Sequence, residues 1–327
     1  MDRAKTHIGE FFVISFPEAI PSDETLYLIQ DMKIGGLILF ADHCRDQFSL
    51  KSWLKDLKKS LNYNLIVAVD QEGGRVRRFQ LGFPMLEAPR FYAYHNKLPQ
   101  YCSDLGRVCE RLFETGVNFN LVPSVDLMDF EEGHVLDSRT FSDQPELTTA
   151  FAKAAIEIHH AHGLSCCAKH FPGLGRSSGD PHQVLSVSDL TEAEFFEQEI
   201  LPFQAAIADG VDGVMVTHLS APRVDERPAI VSAMMIQGWL KDRLEFEGPV
   251  VTDDLLMEGA RQAASSGAAV ESFEAGSDLL IFGQDIERTR AELELFERAW
   301  SDGRFDNDRQ KDALRRGRAF RQKIQSP

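Results

Sequence analysis

The chain has 327 residues, of which 43% are hydrophobic and 26% are charged, with 23 glycines and 14 prolines. This composition excludes disordered and collagen-like chains and indicates a globular protein with a large core. The formal net charge is −16 at pH 7, so neither nucleic acid nor an anionic membrane is an expected partner.

Short apolar runs recur along the chain and are separated by longer stretches with helical periodicity. Continuous rather than alternating hydrophobicity is typical of parallel strands that are buried on both faces. The eight predicted strands are 11–16, 36–40, 65–70, 118–126, 165–170, 213–218, 249–254 and 278–283. Eight β-α units favour an α/β protein with a single (β/α)8 TIM barrel over residues 1–327 and a helical tail from about residue 300. A doubly wound open sheet would produce a similar local pattern.

Cysteine usage and the apolar segments bear on location. The five cysteines form no CxxC pair, and we expect free, mostly buried thiols in a reducing compartment. The run at 11–16 is too short for a signal peptide, and no run reaches the roughly 18 apolar residues of a membrane span. We therefore predict a cytoplasmic protein. The basic stretch near the C-terminus has helical spacing and is predicted to be a solvated helix face, at Arg315, Arg316, Arg318, Arg321 and Lys323.

Polar residues stand where several predicted strands end. In a (β/α)8 barrel the carboxyl ends of the strands meet at one rim, where such enzymes carry their chemistry. A strand-end cap or a buried salt bridge is the alternative role for any one of these residues. They are Asp70, Asp126, Lys169, His170, His218, Asp253 and Asp254.

The pair Asp253-Asp254 closes the strand at 249–254. Adjacent residues of an extended chain point to opposite faces, so only one of these carboxylates can face the barrel mouth. A carboxylate there is suited to act as a nucleophile, a metal ligand or a general base. Capping the next helix is the other role open to Asp254.

The segment AKHFPGLGRSSGDPH combines a cationic strand end with a glycine-rich loop. An aspartate two residues before a histidine can accept a hydrogen bond from one ring nitrogen and raise the basicity of the other. Asp180 and His182 are therefore a candidate proton-transfer pair, although a surface turn with an incidental histidine has the same pattern.

The segment VDQEGGRVRRF places Asp70 at a strand end and Arg78 eight residues later. An aspartate that accepts from vicinal hydroxyls beside a donating arginine is suited to hold a polar, uncharged ring. A local salt bridge that holds the loop is the alternative. The histidines of HHAHG at 159–163 do not share one helix face, and we do not expect a metal site there.

Taken together, VDQEGGRVRRF, NFNLVPSVDL, LDSRTF, AKHFPGLGRSSGDPH, GVMVTH, VVTDDLLMEGA and FEAGSDLLIF resemble glycoside hydrolase family 3. They look most like its single-barrel bacterial β-N-acetylglucosaminidases, over roughly residues 8–285. The resemblance implies Asp253 as the nucleophile and Asp180 with His182 as the acid/base pair. It also implies sugar-binding roles for further residues, namely Asp70, Arg78, Arg139, Lys169 and His170.

The resemblance further implies retaining hydrolysis of terminal β-linked N-acetylglucosamine, with neither a metal nor an organic cofactor. The expected partner is a small carbohydrate, and muropeptide fragments from peptidoglycan recycling are the implied natural substrate. A β-glucosidase or glycoside phosphorylase of the same family and a catalytically lapsed sugar-binding barrel are the alternatives. Leu174 and Arg176 depart from the family pattern, where histidine and aspartate are frequent, and this departure concerns the shape of the aglycone side.

Overall fold

The computed structural model describes residues 8–128, 134–178 and 185–324. Eight parallel strands follow one another in the sheet order β10-β1-β2-β3-β4-β5-β7-β9. The ring is completed where Val251 and Leu279 form a parallel bridge between the last two strands. The predicted (β/α)8 barrel is confirmed. The strands are β1 Phe12–Ile14, β2 Gly36–Leu39, β3 Ile66–Val69, β4 Phe119–Asn120, β5 Ser165–Phe171, β7 Gly213–Val216, β9 Val250–Thr252 and β10 Leu280–Phe282.

Helices surround the barrel and alternate with its strands. Their apolar faces and the outward-facing strand residues form one large buried cluster. Side chains cap several helix starts, as Asp46 does by accepting from the backbone N–H groups of Phe48 and Ser49. The α-helices are α1 Asp23–Asp31, α2 Gln47–Ser60, α3 Pro89–Tyr94, α4 Leu98–Thr115, α5 Pro145–Ala161, α6 Glu192–Glu194, α7 Leu201–Ala208, α8 Glu258–Ala263, α9 Ala268–Ala275, α10 Ile286–Ser301 and α11 Asn307–Lys323. Two π-helices span Phe195–Glu199 and Met234–Arg243.

Two details differ from the sequence-based expectation. The strand predicted at 118–126 is regular only over Phe119–Asn120, because Pro123 has no N–H to donate to a ladder. A short sheet outside the barrel was not predicted: β6 Ser186–Val187 pairs with β8 Leu219–Ser220. This sheet follows the carboxyl end of β7 and therefore lies at the carboxyl-end rim of the barrel.

The barrel interior is filled by alternate residues of the strands, as the two-residue side-chain period requires. Phe320 and Ile324, from the end of α11, belong to the same buried cluster. The ring of Phe320 lies 4.9 Å from that of Phe119, centroid to centroid. The last helix therefore closes the amino end of the barrel and leaves the carboxyl end for the site.

The cysteines are free, as predicted, and all but Cys102 are buried. Within the described part of the chain, no helix has the length and apolar character needed to cross a membrane.

Candidate active site

A cleft of about 370 Å³ opens at the carboxyl ends of the barrel strands. Its volume lies in the range of about 300–1,000 Å³ that is typical of small-ligand sites. It brings together the five predicted sugar-binding residues and Asp253. Its lining includes Phe40, Asp70, Arg75, Arg78, Arg139, Lys169, His170, Leu174, Met215, Asp253, Asp254 and Met257.

Strand periodicity explains which side chains reach this cleft. Ala68, Cys167 and Val251 belong to the cluster that fills the barrel interior. The residues two positions further along are Asp70, Lys169 and Asp253, and in extended geometry these continue the same inward-facing rows. Residue 253, rather than residue 254, is therefore the carboxylate that stands above the interior.

A buried network of charges forms one wall of the cleft. Lys169 Nζ lies 2.7 Å from Asp70 Oδ1 and 2.7 Å from Glu72 Oε1. Arg139 donates two hydrogen bonds to Glu72, at 2.8 and 2.7 Å. Arg78 donates to Asp70 Oδ2 at 3.0 Å. Three cations and two carboxylates thus form one network of ion pairs. Such pairing offsets the free-energy cost of burying each charge.

The ionisation of this network follows from its geometry. Burial would raise the pKa of Asp70, but Lys169 and Arg78 outweigh burial and lower that pKa to about 2. Arg139 and Lys169 likewise hold the pKa of the buried Glu72 far below its usual value. Both carboxylates are therefore ionised at neutral pH.

His170 is oriented by a buried aspartate on the neighbouring strand segment. Its Nδ1 lies 2.6 Å from Asp126 Oδ2, and its Nε2 lies 3.3 Å from a guanidinium nitrogen of Arg139. Asp126 also accepts from Ser124 Oγ at 2.9 Å and from Leu174 N at 2.7 Å. These contacts fix the imidazole with its Nδ1–H toward Asp126 and its Nε2 toward Arg139.

Asp253 is the member of the pair after β9 whose environment favours the ionised form. Its Oδ1 accepts from the backbone N–H of Asp254 at 2.8 Å, and its Oδ2 lies 3.4 Å from Thr217 Oγ1. Burial would raise its pKa, but the nearby His218 and His170 hold that pKa below its usual value. A charged oxygen is therefore presented to the cleft.

Asp254 has a different environment. Its Oδ1 accepts from the backbone N–H groups of Leu256 and Gly283, each at 2.9 Å. A Cβ at Gly283 would lie 2.4 Å from Asp254 Oδ2, so only glycine allows this close approach. Burial raises the pKa of Asp254 to about 6. Asp254 thus organises the turn after β9, close to the capping role considered from the sequence.

The predicted proton-transfer pair Asp180 and His182 lies outside the described residues. The stem of their loop is described. Ser178 and Val187 exchange backbone hydrogen bonds at 2.9 and 3.0 Å, and Val187 belongs to β6. β6 pairs with β8, and β8 begins two residues after Thr217, which contacts Asp253. The two described ends of the loop, Ser178 and Val187, therefore lie at the rim of the cleft.

The buried Glu199 is the ion-pair partner of Arg176, one of the two residues that depart from the family pattern. It is buried, and Arg176 Nε lies 3.0 Å from its Oε1. Burial raises the pKa of Glu199 to about 7, although Arg176 opposes that effect. A Cβ at Gly173, where φ is 123°, would lie 2.8 Å from the Glu199 Cβ. Arg176 therefore places a cation on a buried carboxylate beneath the start of the loop.

One group away from the cleft has side chains of metal-ligand type. The ligand atoms of His160, Cys166 and Asp212 lie within 4.8 Å of one another. Asp212 is already in contact with His160, at 2.8 Å, and ion-paired with Lys323. A metal ion would have to compete with Lys323 for this carboxylate. The other two histidines of HHAHG, His159 and His162, bond to the carbonyls of Ala155 and Ile158.

Glu72 is the residue of the site that the sequence analysis missed. It stands in the segment VDQEGGRVRRF between Asp70 and the double glycine. A signal was nevertheless present, because a carboxylate two residues after Asp70 stays on the same face if the chain remains extended.

Comparison with known proteins decides the family. Residues 5–316 match the model of the glycosyl hydrolase family 3 N-terminal domain. The chain belongs to glycosyl hydrolase family 3. The predicted family and the predicted enzyme class, an O-glycosyl hydrolase, are thereby confirmed.

Family 3 relatives resemble this chain over most of its length. A β-hexosaminidase of Methylococcus capsulatus is 34% identical over 80% of this chain and 79% of its own length. One from Pseudomonas aeruginosa is 32% identical over 83% and 81%, respectively.

Solved structures of family 3 show the same fold. A β-N-acetylglucosaminidase from Paenibacillus sp. has a TM-score of 0.93 at 28% identity and covers 99% of this chain. This chain spans 63% of that Paenibacillus protein. NagZ from Neisseria gonorrhoeae has a TM-score of 0.79 at 29% identity, covering 96% of this chain and 89% of its own.

Proposed function

We propose that this protein is a retaining β-N-acetylglucosaminidase that acts through a covalent glycosyl-aspartate. The observation that carries the proposal is the position of Asp253, an ionised carboxylate at the inward end of β9 in a cleft of about 370 Å³. The names of its family 3 relatives, β-hexosaminidase and β-N-acetylglucosaminidase, support the choice of sugar.

In the first step, a carboxylate oxygen of Asp253 bonds to the anomeric carbon as the bond from that carbon to the aglycone oxygen breaks. Oδ2 is suited to this role because its contact with Thr217 is long, at 3.4 Å, whereas Oδ1 is held by a backbone N–H. The imidazolium of His182 gives its proton to the departing oxygen, and Asp180 stabilises the imidazolium charge.

In the second step, neutral His182 takes a proton from water as the water oxygen bonds to the anomeric carbon. The bond to Asp253 breaks, and the sugar leaves with its β-configuration retained. Two inversions at one carbon are the reason for net retention.

The charged wall of the cleft serves to hold the sugar ring. Asp70 keeps lone pairs for hydroxyl donors, while Arg78, Arg139 and Lys169 offer N–H groups to hydroxyl or acetamide oxygens. Because Asp70 and Glu72 already fix these cations, little side-chain entropy is lost when the sugar binds.

The acid role of His182 predicts a split between substrates. His182→Ala is expected to lower kcat/KM for 4-nitrophenyl N-acetyl-β-glucosaminide by less than tenfold, because kcat/KM reports the first step and a nitrophenolate leaves without a proton. The same change should lower kcat/KM for chitobiose by roughly 10²–10⁴-fold, the usual contribution of general acid catalysis. Initial rates at substrate concentrations well below KM check this, since they exclude the second step, in which His182 activates water for both substrates. Equal losses on the two would show that His182 is not the leaving-group acid.

The sugar preference is tested by comparing nitrophenol release from aryl N-acetyl-β-glucosaminide and aryl β-glucoside, each with and without phosphate. We expect fast release from the first substrate alone, independent of phosphate. A preference for the glucoside would indicate a β-glucosidase. Formation of a sugar phosphate would indicate a phosphorylase, and binding without turnover a lapsed enzyme.

We further propose muropeptide fragments as the natural substrate and the cytoplasm as the location. The support is the proposed N-acetylglucosamine preference together with the free, mostly buried thiols. Release of N-acetylglucosamine from a purified anhydro-muropeptide is the direct test. No release from that substrate would contradict the proposal.

A further inference from the structure

A second cavity lies away from the catalytic cleft. It has a volume of about 500 Å³ and is formed by α2, the loop before β3 and the end of α4. Residues that precede strands lie at the amino end of the barrel, opposite the site. We call this cavity the lysine groove; its lining is Lys51, Leu54, Lys55, Lys58, Lys59, Tyr63, Asn64, Leu65, Glu114, Thr115 and Gly116.

Four lysines border the groove from one face of α2. They are at positions i, i+4, i+7 and i+8, which coincide on a helix surface. Lys51, Lys55 and Lys59 are exposed, and no carboxylate of the described residues lies within ion-pair distance of any of the four. The one acid in the lining, Glu114, is ion-paired with Arg111 at 2.9 Å.

The basic residues of α11 differ from the lysines of α2, because they do have carboxylate partners. The prediction of a solvated helix face was wrong in part, because Arg316 and Arg321 are buried and each of the five basic side chains is ion-paired within the chain. Arg318 and Arg321 contact Glu10, Arg315 and Arg316 contact Asp312, and Lys323 contacts Asp212. In a protein of net charge −16, four cations without carboxylate partners in one concavity are therefore distinctive.

The helix dipole explains only part of the arrangement. Lys58 and Lys59 lie in the last turn of α2, where cations are favourable, and Lys58 Nζ donates to the carbonyl of Gly116 at 2.8 Å. Lys51 and Lys55 lie before that turn, where the dipole gives no comparable benefit.

The floor of the groove is apolar. Leu54 and Leu65 are each 1% exposed, and the ring of Tyr63 is fixed because its hydroxyl donates to the carbonyl of Ile34 at 3.0 Å. Partial burial in this floor lowers the pKa of Lys58 to about 8, an effect that a bound anion would oppose. Cations around an apolar floor suit a ligand that carries both a negative charge and an apolar surface.

We propose that the lysine groove binds a small amphipathic anion, a molecule with a phosphate or carboxylate group on an apolar body. The anionic group would contact the lysine ammonium groups, and the apolar body would lie on Leu54, Leu65 and Tyr63. The volume of about 500 Å³ suits a ligand of this size class. The proposal does not depend on the glycosidase mechanism.

The test uses 8-anilinonaphthalene-1-sulfonate, whose fluorescence rises when its aromatic body enters an apolar site. The groove variant is Lys51→Gln/Lys55→Gln. The control is Lys311→Gln/Arg315→Gln on α11, which removes the same charge at similarly exposed positions. We expect the dye Kd to rise about fivefold in the groove variant and to change by less than about twofold in the control, given the modest worth of exposed charges.

Competition supplies the second arm. Hexyl phosphate or hexanoate should displace the dye from the wild-type protein, whereas the uncharged hexanol should not. Equal weakening in both double variants, displacement by neither anion, or equal displacement by hexanol would overturn the proposal. Thermal unfolding of each variant confirms that the fold is intact, and substrate turnover is scored separately so that failure of the glycosidase proposal is distinguishable.

Discussion

Asp253→Asn is expected to reduce hydrolysis of 4-nitrophenyl N-acetyl-β-glucosaminide by roughly 10⁴-fold or more, the scale of loss when a covalent nucleophile is removed. The substitution is isosteric, and the amide oxygen can still accept from the backbone N–H of Asp254. We therefore expect the fold to persist while the attacking charge disappears. Steady-state rates and circular dichroism measure the two effects.

The neighbouring aspartate provides a matched control. Asp254→Asn keeps an oxygen for the N–H groups of Leu256 and Gly283 and changes only a carboxyl whose pKa is raised to about 6. We expect this variant to lose less than roughly tenfold, because Asp254 organises the turn and does not attack the substrate.

Covalent trapping distinguishes the two carboxylates directly. A 5-fluoro glycosyl fluoride of N-acetylglucosamine should label the wild-type peptide VVTDDLLMEG, with the mass shift on residue 253. A label on residue 254, or a larger rate loss from Asp254→Asn than from Asp253→Asn, would contradict the assignment of the nucleophile.

The strands were predictable because burial on both faces leaves continuous apolar runs in the sequence. Seven of the eight runs contain a barrel strand, and the eighth, at 165–170, falls one residue short of the end of β5. The polar residues at their ends were predictable as a group for the same reason, since parallel strands bring their carboxyl ends to one rim. This argument placed Asp70 and Lys169 in one cleft although they are 99 residues apart.

Details that depend on register were beyond the sequence. The choice between Asp253 and Asp254 follows from Val251 facing the interior, which pairing with Leu279 and Met215 fixes. The short β6–β8 sheet depends on where the loop returns to the rim. The unpaired lysines of α2 were overlooked because a sequence does not show which charges find partners. The basic residues of α11 were the more conspicuous cluster in the sequence.

Glu72→Gln is expected to lower the free energy of unfolding by about 3 kcal/mol, because breaking a buried ion pair leaves an uncompensated charge. Glu72 accepts two hydrogen bonds from Arg139 and contacts Lys169 at 2.7 Å, and its side chain is 2% exposed. Without the carboxylate, two buried cations face each other. Urea unfolding measures the loss, and Glu114→Gln, on an exposed pair with Arg111, should cost less than about 1 kcal/mol.

Kinetics of Glu72→Gln test whether Glu72 positions the sugar-binding residues or only stabilises the fold. Arg139 and Lys169 are held at the cleft by Glu72, so their displacement should lower kcat/KM by roughly 10²-fold, the cost of misplacing a binding group by about 1 Å. The loss should appear in both KM and kcat, measured well below the unfolding temperature of the variant. An enzyme that is less stable yet kinetically unchanged would limit Glu72 to a structural role. An enzyme of unchanged stability would show that the buried network does not hold the cleft together.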